Sequence, residues 1–164
     1  NVFLILWINA STLVKFEKNH FNLILDTTHY SKDHKKTLEN FVGKPYRFLE
    51  SLKRGGVGSK RMIIKQLSPN LSYIINIISD LNYANIELRK KGILIHINKG
   101  LKNFIWAIPF YQLVFYKTDF TSIHAQGRFI QFENSKTFKE NKNFFENLLA
   151  EKIKFDKQYI LPKL

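Results

Sequence analysis

Six runs of strand-forming residues are crowded between positions 85 and 133: NIELRK, GILIHIN, NFIWAIPF, QLVFYK, TSIHAQ and RFIQFE. They are separated only by KG, KGLK, a proline, TD and QG. A link that short leaves no room for a crossover helix, so neighbouring strands must run antiparallel. The β-branched and aromatic content of the runs fits a pleated, packed surface. A six-strand meander is therefore the main constraint on the fold, and any other element has to pack against it.

Downstream, Phe138, Phe144, Phe145, Leu148, Leu149 and Ile153 recur with helical period, opposite Lys139, Glu140, Lys142, Glu146 and Lys152. That pattern predicts an amphipathic helix over 136–154 whose Phe145, Leu148 and Leu149 pack on the sheet. Upstream, residues 31–81 read as short helices. Ser31 caps a first one, Leu38, Phe41 and Val42 share its face, and Gly43 stops it. Pro45 suits the start of a second, with Phe48, Leu49 and Leu52 as its apolar stripe up to Gly55-Gly56. Ser59 is expected to cap a third through Met62, Ile63 and Leu67, and Ser68-Pro69 to open a fourth through Ile74, Ile77, Ile78 and Leu81.

The expected class is thus α+β: a helical segment at 20–81, then an antiparallel six-strand sheet closed by a C-terminal amphipathic helix at 82–156, with a tail at 157–164. Residues 1–19 form an uncertain N-terminal stretch. It opens NVFLILWINASTLV, short of the ~20 apolar residues needed to cross a bilayer and without the preceding positive segment of a signal peptide. It is read as a core strand or as sequence ahead of the natural start.

The 164 residues include no cysteine, which removes disulfides, thiolate metal sites and cysteine nucleophiles, and favours a reducing, cytoplasmic setting. The formal net charge of +13 points to an anionic partner. Part of that charge is compositional, since only five of the 26 basic residues are arginine and the chain is rich in Asn, Ile and Phe. Distribution says more. Ser51–Ser79 contains Lys53, Arg54, Lys60, Arg61 and Lys65 and no acid, and Leu88–Thr118 contains Arg89, Lys90, Lys91, Lys99, Lys102 and Lys117 and no acid.

The glycine-rich stretch LKRGGVGSKR at 52–61 has the residues of a phosphate loop but not their order. Gly58-Ser59-Lys60 exchanges the Lys and Ser of the nucleotide motif, and no glycine stands at the required upstream spacing. A turn between helices accounts for it. A weaker alternative places a nucleic-acid phosphate on Arg54, Lys60 and Arg61. In DTTHYSKDH, Asp26, His29, Asp33 and His34 lack metal-ligand spacing and read as a turn and cap, so no metal and no cofactor is expected. His96 and His124 sit in strands between isoleucines and would form a general acid/base pair if they met across the sheet, although no carboxylate lies close to either in sequence. Trp106, Phe104, Tyr111, Phe115 and Tyr116 are read as core rather than as a base-stacking platform.

The stretch NIELRKKGILIHINKGLKNFIWAIPFYQLVFYKTDFTSIHAQGRFIQFE, followed by FKENKNFFENLLAEK, resembles the pleckstrin-homology-like fold of many bacterial proteins, and the Lys/Asn/Ile-rich style resembles small uncharacterised proteins of Bacteroidetes. The resemblance implies a bent sheet or partial barrel with seven strands and a closing helix. The six visible strands then need one more, expected from 20–26, HFNLILD. It also implies a basic first hairpin. Lys91 and Lys99 have the spacing of a phosphoinositide motif, but Leu101 stands where its final Arg belongs.

The reading that results is a non-enzymatic basic binding module, cytoplasmic and peripheral to a membrane, which contacts an anionic membrane surface or an acidic protein. Arg89, Lys90, Lys91, Lys99 and Lys102 are its binding residues, with no small-molecule ligand. The alternative is a winged-helix-like nucleic-acid-binding protein, with 60–67 or 70–81 as recognition helix and ELRKKGIL as wing. An enzyme built on His96 and His124 is the second alternative.

Overall fold

The computed structural model describes residues 23–76, 78, 81–117 and 121–158. The N-terminal stretch and the last six residues lie outside them. The described chain forms one antiparallel sheet of eight strands with a few helices. The strands are β1 (Leu23–Asp26), β2 (Met62–Leu67), β3 (Asn82–Arg89), β4 (Gly92–Lys99), β5 (Lys102–Pro109), β6 (Val114–Lys117), β7 (Thr121–Ala125) and β8 (Arg128–Phe132). Their order is β1-β5-β4-β3-β2-β8-β7-β6, so among the described residues β1 and β6 are the edges and the sheet is not closed into a barrel.

All six expected strands form, the further strand expected upstream joins them in part, and an eighth comes from a stretch expected to be a helix. Residues 62–67 form β2, which pairs β3 on one side and β8 on the other. Ser59 caps no helix; its Oγ accepts a 2.7 Å hydrogen bond from the Ile86 N–H. Of the strand expected at 20–26, Leu23–Asp26 forms β1, against β5 at the far edge of the sheet, and residues 20–22 lie outside the described ones. Where a fourth helix was expected, Pro69–Ile74 forms a 3-10 helix that buries Leu71 and Ile74.

The expected helices that do form follow their punctuation. Helix α1 (Lys32–Val42) starts at Ser31, whose Oγ accepts from the His34 N–H while the Ser31 N–H donates to His34 Nδ1. It stops at Gly43, whose φ of 82° suits glycine. Helix α2 (Phe48–Lys53) ends before Gly55 and Gly56, both at positive φ. The C-terminal helix is split by Asn141 into α3 (Lys136–Lys139) and α4 (Lys142–Lys157). Phe144 and Leu148 are its buried residues, Phe145 packs beside them, and Leu149 and Ile153 are exposed.

One main core draws Met62, Ile86, Ile95, Trp106, Ile123, Ile130 and Leu148 into a single cluster. Strands from both halves of the sheet can share a cluster only if the sheet curls around it. A second, smaller core lies on the outer face, where α1 lays Leu38 and Val42 over Leu94, Ile105 and Ala107. Strands β4 and β5 are therefore buried on both faces, which is why their sequences are continuously apolar. Trp106 and Phe104 are core as expected, Phe115 packs at its margin, and Tyr111 and Tyr116 are exposed.

Candidate anion-binding corner

The two-residue turn Lys90-Lys91 joins β3 to β4 and is held from three directions. The Lys91 N–H donates to the Val42 carbonyl at 2.8 Å, the Lys90 N–H to the Lys44 carbonyl at 3.4 Å, and the Lys91 carbonyl accepts from the Phe110 N–H at 2.9 Å. The turn can sit this close to the end of α1 because Gly43 has no side chain; a Cβ there would lie 3.1 Å from the Lys91 nitrogen.

Around the turn, residues 46–54 and α4 form a linked polar cluster. Lys90 Nζ donates to Glu50 Oε1 at 3.2 Å, and Tyr46 Oη donates to Glu151 Oε2 at 3.3 Å. Arg54 pairs with the same Glu151 and stacks over the Tyr46 ring, 4.4 Å from its centroid. Burial first, and then the Glu151 carboxylate beside it, push the Tyr46 phenol up to about 12, so it remains a donor at neutral pH. The Arg47 N–H and the Lys90 ammonium hold the Glu50 carboxyl below its ordinary value.

Between the turn, the end of β5 and the last turns of α4 opens a cleft of about 390 Å³, lined by Lys90, Lys91, Tyr111, Lys154, Phe155 and Gln158 among others. Its one acid, Glu151, is already neutralised by Arg54. Lys91 and Lys154 form no ion pair among the described residues, so the cleft presents uncompensated positive charge to a phosphate or carboxylate.

The five expected binding residues do not converge here. Arg89 is only 9% exposed and pairs with Glu87 at 2.6 Å, so it supports the sheet rather than facing a partner. Lys99 and Lys102 flank the β4–β5 turn at the other end of β4, roughly 23 Å away along an eight-residue strand. There Lys99 Nζ donates to the Tyr73 carbonyl at 2.7 Å. The residues that complete the corner, Tyr46 and Lys154, were not singled out from sequence, because Lys154 meets Lys91 only through the packing of α4.

The alternative sites are dispersed. Arg54 belongs to Glu151, Lys60 Nζ donates to Glu140 at 2.8 Å, and Arg61 lies over the Tyr83 ring at 4.6 Å. The glycine loop therefore runs as a strap along α3 and α4, pinned also by Lys60 N–H to Asn141 and by Asn147 to the Arg54 carbonyl. Of the two segments expected as a recognition helix, 62–67 is a strand and 70–81 holds part of the 3-10 helix Pro69–Ile74, with residues 77, 79 and 80 outside the described ones; ELRKKGIL does form a hairpin, inside the continuous sheet.

His96 and His124 are not hydrogen-bonded to each other; each ring has a different partner. His96 Nε2 lies 3.1 Å from Glu87 Oε2, and His124 Nε2 lies 3.0 Å from Ser122 Oγ with its ring stacked on Phe129. The Glu87 contact was legible in principle. A two-residue turn at 90–91 pairs Asn85 with His96 and Glu87 with Leu94, so Glu87 and His96 are diagonal neighbours. Asp26 accepts from the Thr28 N–H and hydroxyl in a local turn, and no group of three or more metal-binding side chains occurs among the described residues. No described helix is long and apolar enough to cross a membrane.

Compared with protein-family models, with curated proteins and with solved structures, the chain gives no significant match.

Proposed function

We propose that this chain is a binding module for an anionic surface, engaged through the corner formed by the Lys90-Lys91 turn and the end of α4. The observation that carries the reading is the cleft in which Lys90, Lys91 and Lys154 surround an acid already neutralised by Arg54. A turn fixed by three backbone hydrogen bonds projects its charges without first having to be ordered, so little of the attraction is spent on conformational entropy. We also read β2–β8 with the closing helix as a pleckstrin-homology-like sheet. What supports this is the run of seven neighbouring strands, whose seventh is β2 and not the strand expected at 20–26, and the helix packed on the core through Phe144 and Leu148.

The test is binding of the full chain to vesicles containing phosphatidylserine. Each lysine near such a surface contributes about 1 kcal/mol. Replacing Lys90, Lys91 and Lys154 by alanine should then weaken binding on the order of a hundredfold, with neutral phosphatidylcholine vesicles bound by neither protein. Undiminished binding by the triple variant would overturn the assignment.

A further inference from the structure

Helix α2 is built inside out. Its apolar residues Phe48, Leu49 and Leu52 are 75%, 69% and 60% exposed, and none is in either core. At about 100° per residue these three share one face, and Glu50 and Arg54 lie on the other. It is that polar face which holds the helix to the protein, Glu50 through Lys90 and Arg54 through Glu151. A surface helix normally reverses this arrangement. Exposed Lys53 borders the apolar face, exposed Lys44 and Arg47 precede the helix in sequence, and the residues that hold its polar face, Lys90 and Glu151, also line the cationic cleft.

We infer that α2 is an interfacial membrane anchor: Phe48, Leu49 and Leu52 enter the acyl-chain boundary of an anionic bilayer while the surrounding cations contact its phosphates. The inference rests on the anionic-surface reading above and names its partner as lipid. Large apolar side chains exposed on a six-residue helix, with exposed cations nearby in the chain, match the layering of a bilayer interface, apolar below and anionic at head-group depth. An acidic protein surface would complement the lysines but leave the apolar face in water.

The chain has no cysteine, so Leu49→Cys carries a single environment-sensitive nitrobenzoxadiazole label, with Asn143→Cys on the exposed side of α4 as control. On vesicles with phosphatidylserine the label at 49 should brighten and shift to the blue, and the control label should not. In parallel, Phe48→Ser/Leu49→Ser/Leu52→Ser should keep its thermal unfolding midpoint, lose more than tenfold in vesicle affinity, and retain wild-type binding to soluble inositol hexakisphosphate, which requires only the cations. Full vesicle binding by the serine variant with a water-exposed label would overturn the anchor and leave the anionic-surface reading intact. Wild-type protein that binds neither vesicles nor inositol hexakisphosphate would overturn both. A label already blue-shifted without lipid, or shielded equally by polyglutamate, would assign the face to residues 1–22 or to an acidic protein and overturn the anchor.

Discussion

Trp106 Nε1 donates to Gln126 Oε1 at 2.9 Å, although Trp106 is in β5 and Gln126 is in the β7–β8 turn. In strand order β5 and β8 are four spacings apart, about 19 Å in a flat sheet. The hydrogen bond exists because the sheet curls until its two halves meet. Gln126 completes the contact through its Nε2, which donates to the Ala107 carbonyl at 3.1 Å and to Gln112 Oε1 at 2.8 Å. Its φ of 57°, followed by 68° at Gly127, is the backbone of a tight two-residue hairpin turn. With β1 paired to the outer edge of β5, no backbone ladder can close the gap, and this side chain bridges it instead.

Gln126→Ala should therefore destabilise the fold by about 1–3 kcal/mol, because it leaves the fully buried Trp106 without its acceptor. Urea unfolding followed by tryptophan fluorescence measures it, and an unchanged midpoint would show that the two halves are held by apolar packing alone.

Burial tends to raise the Glu87 carboxyl, but His96 and Arg89 outweigh it and hold the group below its ordinary value. A carboxylate depressed in the folded state adds stability that is present above its unfolded pKa, near 4.5, and disappears as the pH falls through the lower folded value. Acid unfolding of the wild type should contain this component below pH ~4.5, and Glu87→Gln should lack it. At neutral pH the same variant should be less stable by about 3 kcal/mol, because buried Arg89 loses its partner.

Gly92 opens β4 opposite Pro109, and a Cβ at this position would lie 2.3 Å from the Ile108 carbonyl oxygen and 2.9 Å from a Val42 methyl. Gly92→Ala should cost about 3 kcal/mol by overpacking, whereas Gly58→Ala, which meets nothing within 4 Å, should leave the thermal midpoint nearly unchanged.

The sequence showed most clearly what burial on both faces and short turns enforce, namely β3 to β8. Strand β2 was hidden by a register shift between Ile64 and Gln66 that breaks its alternation and leaves Met62, Ile63 and Leu67 at spacings a helix also satisfies. The caps at Ser31 and Gly43 were local chemistry and readable as such. The stripe on α2 was visible, but its exposure was not, because pattern alone does not say whether an apolar face has anything to cover it. The corner was half visible: Lys90 and Lys91 are adjacent in sequence, but Lys154 reaches them only through tertiary packing. Charge counting could not tell that Lys99 and Lys102 lie at the opposite end of β4.

That separation makes one comparison decisive. Co-sedimentation of the full chain with phosphatidylserine-containing vesicles at physiological salt should be lost in Lys90→Ala/Lys91→Ala/Lys154→Ala and retained in Lys99→Ala/Lys102→Ala, whose charges lie at the far end of the same strand. Equal losses in the two variants would contradict the account, since binding would then follow net charge rather than the corner.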